Sequence, residues 1–244
     1  PWKVDPEDES LFWSEVKKKL VRTHQKGAEM EETTHEILMD IISRYAHEIA
    51  GNFKPSHYRL ARTIVTFGFS RLLNAARLRS IGALFHGKLT LEDKIHIRGA
   101  TDHLRKLARL GTIVMVPTHF SNLDSITIGF VIHTLGLPPF IYGAGLNLFN
   151  ISIFAYFMNS LGAYKVDRRK KNMIYLETLK MYSNLALQKG SHSLFFPGGT
   201  RSRSGKIETK LKLGLLSTAM EAQRISFQKE EEKAKKIFVV PVVL

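Results

Sequence analysis

The sequence predicts an α/β protein: a mixed, mostly parallel sheet flanked by helices, preceded by an N-terminal helical extension. Three observations lead there. From residue 95 onward, short Val-, Ile- and Phe-rich runs alternate with stretches of helical period, the signature of a sheet covered by helices. The residues before about 85 carry helical periodicity alone, as a helical extension would. Two of the apolar runs also end in polar, chemistry-bearing residues, Thr118-His119 and Gly199-Thr200-Arg201, and α/β sheets collect their ligands at the carboxyl ends of strands.

Residues 8–50 read as helix broken once, at Gly27. Asp8, Glu9 and Ser10 offer caps, Leu11, Phe12, Val16 and Leu20 recur at helical spacing, and a second run carries Ile37, Leu38, Ile41, Ile42 and Tyr45. Residues 57–84 form a third helical stretch that mixes Ile64, Val65, Phe67, Phe69, Leu72 and Leu73 with Arg59, Arg62, Arg71, Arg77 and Arg79, without one acidic residue. Such a helix either packs one face on the domain with its arginines in water, or lies as a basic amphipathic surface on anionic headgroups.

The alternating part begins with a strand-like segment at 95–99. A short helix over 101–110 and a buried strand over 112–116 follow, then helix over 123–135, strand near 140–142 and helix over 148–161. Residues 163–166 read as strand, 172–188 as helix, 193–196 as strand, 210–228 as helix and 237–242 as a last strand. Residues 125–164 contain no Asp, Glu, Lys or Arg. Gly136, Pro138, Pro139, Gly143 and Gly145 divide this run, so it is not one membrane-spanning helix, which needs roughly 20 uninterrupted apolar residues. It is either core around a binding tunnel or a surface that touches lipid.

Composition narrows the partners. The 244 residues carry a formal charge of +14, which calls for an anionic partner: nucleic acid, an anionic membrane or a phosphorylated small molecule. The 44% hydrophobic content excludes global disorder. With no cysteine there is neither a disulfide framework nor thiolate chemistry, and any zinc site would need His and carboxylates alone. The chain opens on Pro1 and stops on the strand-like Val239-Val240-Pro241-Val242-Val243-Leu244, from which a piece of a longer protein is expected.

Three clusters carry chemistry. His119 and Asp124 lie five apart where a strand ends and a helix begins, so the carboxylate can fix one imidazole nitrogen and leave the other as a general base. The same spacing recurs in His35 and Asp40, but inside a regular helix, where positions five apart diverge. The second cluster, Phe196-Pro197-Gly198-Gly199-Thr200-Arg201-Ser202-Arg203-Ser204-Gly205-Lys206, combines glycines that admit close backbone approach with hydroxyl, guanidinium and ammonium donors suited to phosphate. It lacks the order of a nucleotide P-loop, which disfavours ATP. The third, residues 162–171, ends in Asp167-Arg168-Arg169-Lys170-Lys171 and adds a second cationic wall if it joins the other two.

In this order the motifs resemble those of the glycerolipid acyltransferase superfamily. His119 and Asp124 match its His-x-x-x-x-Asp block, and residues 162–168 are similar to its Gly-led strand ending in Arg. Residues 196–202 resemble its Phe-Pro-Glu-Gly-Thr-Arg-Ser block, and residues 239–242 its apolar strand with a central Pro. The resemblance spans residues 95–244 and departs from the pattern at Gly198, where most members carry Glu. It implies a helical, basic and membrane-contacting segment over 1–90 and a catalytic domain over 91–244.

The implied reaction is transfer of a fatty acyl group from acyl-CoA or acyl carrier protein to glycerol-3-phosphate in phospholipid biosynthesis. His119 and Asp124 would be catalytic, and Arg168, Gly198, Gly199, Thr200, Arg201, Arg203 and Lys206 would bind the acceptor phosphate. Residues 137–148 and 200–206 look like the glycerol-3-phosphate branch; Val166-Asp167-Arg168 is closer to the lysophosphatidate branch, which stands as the alternative. The resemblance implies no metal or cofactor, no nucleic acid partner, and association with the cytoplasmic face of an anionic membrane. A non-catalytic protein that binds lipid or nucleic acid is the reading from another class, supported by the charge and the Arg-Ser-Arg-Ser stretch but by no RNA- or DNA-binding motif.

Overall fold

The computed structural model describes residues 8–26, 30–51, 53–73, 94–121, 123–149, 158, 161–198, 211, 213–229 and 235–244. The N-terminal part is helical as expected: α1 (Glu9–Lys26), α2 (Met30–Ile49) and α3 (Pro55–Leu73). Helix α2 buries Ile37, Ile41, Tyr45 and Ile49, spaced four apart on one face. They form one core with Val16 of α1 and with Tyr164, Tyr175 and Leu179 from the α/β part. The hairpin of α1 and α2 is therefore packed into the main body. Contact is close where α2 ends: a Cβ at Gly51 would lie 2.5 Å from the carbonyl oxygen of Ala163. Helix α3 opens on Pro55, whose fixed φ suits a first helical position. The expected continuation to residue 84 lies outside the described residues.

The main body contains α4 (Thr101–Leu110), β1 (Gly111–Pro117), α5 (Asp124–Thr134), β2 (Ile141–Gly145) and β3 (Ala163–Val166). It continues with α6 (Met173–Gln188), β4 (Ser193–Leu194), α7 (Ser217–Gln228) and β5 (Lys236–Val242). The strands form one sheet in the order β3-β2-β4-β1-β5, and every pair is parallel. β1 reads as an unbroken apolar run because it is central and covered on both faces. Ile113 and Met115 point to a core with Ile128 and Ile132 of α5. Val114 points the other way, to Leu187 of α6 and Ala219 and Ala222 of α7.

One expected strand does not form and another is shorter than expected. Residues 95–98 do not join the sheet; Ile95 and Ile97 instead pack, half-buried, on the apolar clusters around α5. The helix expected over 148–161 lies mostly outside the described residues; Leu146–Phe149 forms a short 3₁₀ turn before it, and Met158 is helical. The strand expected over 193–196 is limited to its first two residues because the chain then turns at Pro197 and Gly198.

His192 fastens the sheet where β4 enters it. Its Nδ1 accepts from the Ile113 N–H at 2.9 Å, and its carbonyl accepts from the Ile141 N–H at 2.8 Å. Burial, with Lys235 adding repulsion, holds its imidazole below the ordinary histidine value.

The topology marks where a ligand belongs. The chain leaves β1 toward β2 in one direction along the sheet and leaves β4 toward β5 in the other, with α5 on one face and α7 on the opposite one. The carboxyl ends of the adjacent strands β1 and β4 thus flank a switch point, where open α/β sheets bind ligands.

Candidate active site

Thr118-His119 follows β1 directly at that switch point. The Thr118 N–H donates to the Val242 carbonyl at 3.1 Å, so β5 fixes the exit of the strand. The chain then turns sharply into α5, whose first residue is Asp124. That carboxylate is buried, and three bonds meet at one of its oxygens. Oδ2 accepts from the Phe120 N–H at 2.6 Å and the Ser121 N–H at 2.7 Å, and lies 3.0 Å from His119 Nδ1. A helix N-terminus favours an anion here, and an ionised carboxylate can only accept. Nδ1 must therefore carry the proton, which leaves the lone pair on Nε2.

The spacing that predicted this pair works because the chain turns between His119 and the start of α5. The decoy pair confirms the reason by contrast: within α2, Asp40 bonds Lys19 of α1 at 2.7 Å. The hydroxyl of Ser121, the nearest to His119 in sequence, accepts from the Leu123 N–H at 2.8 Å and so closes the turn.

The exit of β4 supplies the second wall. The Phe195 N–H donates to the Met115 carbonyl at 2.9 Å, and the Phe196 ring stacks on the His119 imidazole with centroids 4.1 Å apart. Pro197 and Gly198 then turn away, and Gly198 is buried. Of the expected phosphate-binding loop, Gly199, Thr200, Arg201, Arg203 and Lys206 lie outside the described residues. The stacking of Phe196 was not foreseen from sequence, where the Phe-Phe pair read only as strand.

Arg168 stands farther along the same edge. Met115, Leu194, Tyr142 and Ala163 form one row across four strands, so Asp167 is level with His119, four residues beyond the row. Three strand spacings separate β3 from β1, roughly 14 Å, and an acceptor held by both ends would have to bridge toward the exposed Arg168 side chain.

The neighbouring cations of the third cluster are engaged internally. Asp167 accepts from Arg169 through its backbone N–H at 2.9 Å and its guanidinium at 2.8 Å. Burial alone would raise this carboxyl, but the Arg169 bonds win and hold it below its ordinary value. Lys170 donates to Glu48 of α2 at 2.5 Å.

Along α5, starting at Ser125 next to Asp124, lies an apolar pocket partly open to solvent. Ser125, Ile126, Gly129 and Phe130 of α5 line it together with Tyr142 and Leu161. The charge-free run thus serves as both core and pocket wall. A Cβ built on Gly129 meets nothing within 4 Å; a mid-helix glycine costs about 1 kcal/mol against alanine, and here it leaves space. Tyr58 and Thr66 of α3 close the far side, a contribution that no signal in the sequence announced. Burial pushes the Tyr142 hydroxyl upward, so it stays neutral.

An apolar pocket that begins one residue from an oriented His–Asp pair suits transfer chemistry on a ligand with an apolar tail. A family model described as acyltransferase matches residues 98–244, and the chain belongs to that family. Its curated relatives include the glycerol-3-phosphate acyltransferases of Shewanella sp. (strain W3-18-1) and Shewanella putrefaciens (strain CN-32). Each is 26% identical over 214 residues, which cover 87% of this chain and 23% of the relative. The chain thus spans about a quarter of the length of these relatives. Among solved structures, the 1-acyl-sn-glycerophosphate (LPA) acyltransferase PlsC from Thermotoga maritima matches at 17% identity and a TM-score of 0.34, over 78% of this chain and 79% of that one.

Proposed function

We propose that this acyltransferase moves a fatty acyl group from an acyl-CoA or acyl-carrier-protein thioester to the hydroxyl of glycerol-3-phosphate, with His119 as general base. The observation that carries the proposal is the shared oxygen of Asp124, which holds the His119 ring by Nδ1 next to an apolar pocket. His119 Nε2 takes the proton from the acceptor hydroxyl as its oxygen attacks the thioester carbonyl carbon. When the C–S bond breaks, the thiolate leaves and recovers that proton from the imidazolium, which Asp124 has stabilised. The products are the acyl ester and a free thiol.

The acyl chain occupies the pocket along α5. Arg168, the Gly198-Gly199 backbone, Thr200, Arg201, Arg203 and Lys206 hold the acceptor phosphate. Phosphate binding needs no carboxylate at the position of Gly198. The bond from Leu123 N–H to Ser121 speaks for direct transfer rather than an acyl-serine intermediate.

Helix α3 would hold the enzyme on the cytoplasmic face of an anionic membrane. Leu60, Ile64 and Phe67 are exposed on one face, with Lys54 and Arg59 nearby and no acidic residue from 51 to 91. Among the described residues no helix is long and apolar enough to cross a bilayer, and peripheral attachment is compatible with that.

Comparing glycerol-3-phosphate with lysophosphatidate as acceptor, at equal long-chain acyl-CoA, tests the assignment. Preference for glycerol-3-phosphate in kcat/KM is expected. The reverse preference would replace the first acylation by the second, to which Val166-Asp167-Arg168 is similar.

A further inference from the structure

The turn from Asp167 to Asn172, which presents Arg168, is held on both sides, and one side is held from outside the α/β body. On the near side, the Asp167 N–H donates to Tyr175 Oη at 2.7 Å, and the Asp167 carboxylate is bonded to Arg169. On the far side, the anchors come from α2, more than a hundred residues away in sequence. Lys170 Nζ donates to Glu48 Oε2 at 2.5 Å, lies 3.5 Å from Glu9 of α1, and sits 5.0 Å over the Tyr45 ring. Asn172 donates through Nδ2 to Tyr45 Oη at 3.0 Å, while its Oδ1 accepts from the Tyr175 N–H at 2.8 Å and caps α6. Tyr45 is 2% exposed and meets the Tyr175 ring edge-on at 5.2 Å. Glu48 is itself oriented, because its other oxygen accepts from Arg44 Nε at 2.9 Å.

From this geometry we infer that the α1–α2 hairpin positions the acceptor-binding turn, with Tyr45 and Glu48 as positioning residues that act through Arg168. The inference rests on the reading of Arg168 as a phosphate ligand. Arg168 lies between two fixed points, Asp167 and Lys170. Releasing the Lys170–Asn172 side lets the turn shift while the His119 site, on β1, keeps its own supports. Displacements of about 1 Å matter on this scale: they can change rates by as much as 10²-fold. The network also explains why a polar, charged cluster is placed where apolar contacts would suffice for packing. A half-buried ion pair adds little net stability, but it fixes direction.

The test is kinetic. Glu48→Gln removes the charge from the anchor, and Tyr45→Phe removes the Asn172 acceptor while keeping the ring. Each is expected to raise the KM for glycerol-3-phosphate about fivefold to tenfold and to leave the KM for acyl-CoA and the melting temperature near native. Lys170→Arg, which keeps the pair, should stay close to native. Val16→Ala, in the same hairpin core but away from the turn, should lower the melting temperature without separating the two KM values. In an Arg168→Ala background, Glu48→Gln should add nothing to the acceptor KM.

An equal rise in both KM values, or an undiminished effect of Glu48→Gln in the Arg168→Ala background, would overturn the inference and leave the hairpin as structural support. If Arg168→Ala alone leaves the acceptor KM unchanged, the phosphate reading of Arg168 fails, and the positioning role fails with it.

Discussion

Replacing Asp124 by Asn isolates the electrostatic part of the His119–Asp124 pair. Oδ2 of Asp124 accepts from two backbone N–H groups at 2.6 and 2.7 Å as well as from His119. Those two donors force the amide of an asparagine to place its oxygen there and its NH₂ away. The ring therefore keeps its orientation and its Nδ1–H tautomer, and what is lost is the negative charge facing the imidazolium as it forms. At 3.0 Å and an effective dielectric near 20, a full charge pair is worth roughly 5 kcal/mol. The amide dipole retains part of that, so the loss is about 3–4 kcal/mol, or between about 10²- and 10³-fold in kcat. Both KM values should change little, since the ground state contains neutral imidazole. Initial rates at saturating donor and acceptor, with the melting transition as a control for folding, measure this directly. A kcat within threefold of native in a folded Asp124→Asn protein would refute the role given to Asp124.

Other outcomes are expected elsewhere in the molecule. Gly129→Phe should fill the open space beside α5 and deny the acyl chain on the order of three methylene positions, at about 0.8 kcal/mol each. Relative kcat/KM should then shift toward shorter acyl-CoA chains by roughly 50-fold, measured across a chain-length series; an unchanged preference would remove the chain from this pocket. Arg168→Ala should raise the acceptor KM far more than the donor KM, and parallel changes would argue against phosphate contact. His192 makes acid stability measurable. Its imidazole is held below the unfolded-state value near 6.5, so the unfolded chain binds a proton first as pH falls. Stability is therefore lost as pH drops from about 6.5 through the lower folded-state value. His192→Gln, whose carbonyl can still accept from the Ile113 N–H, should flatten that part of the profile in denaturant titrations. Identical profiles would contradict the assignment.

What the sequence reveals here depends on how local the physics is. The alternation of buried strands with helices located all five strands to within a few residues, because a central parallel strand is apolar throughout and a helix is not. The His119–Asp124 pair was legible because a single turn creates it. Two things were not. Residues 95–98 have strand-forming composition, but their isoleucines find cover against α5 without a ladder, and periodicity cannot tell those outcomes apart. The anchoring of the 167–172 turn by Tyr45 and Glu48, and the closure of the pocket by Tyr58 and Thr66, join segments that only tertiary packing brings together. Within the basic run, sequence alone also offered four equivalent cations, whereas the fold commits Arg169 to Asp167 and Lys170 to Glu48.

The most direct measurement is formation of labelled lysophosphatidate from radiolabelled glycerol-3-phosphate and a long-chain acyl-CoA, comparing the native chain with a folded His119→Ala variant. Product is expected from the native chain, with a loss of at least about 10³-fold in the variant, near the upper part of the range for removing a general base. Product formed at comparable rates by both would contradict His119 as the base, and labelled acceptor left unconverted by the native chain with either acyl-CoA or acyl carrier protein would contradict glycerol-3-phosphate as the substrate.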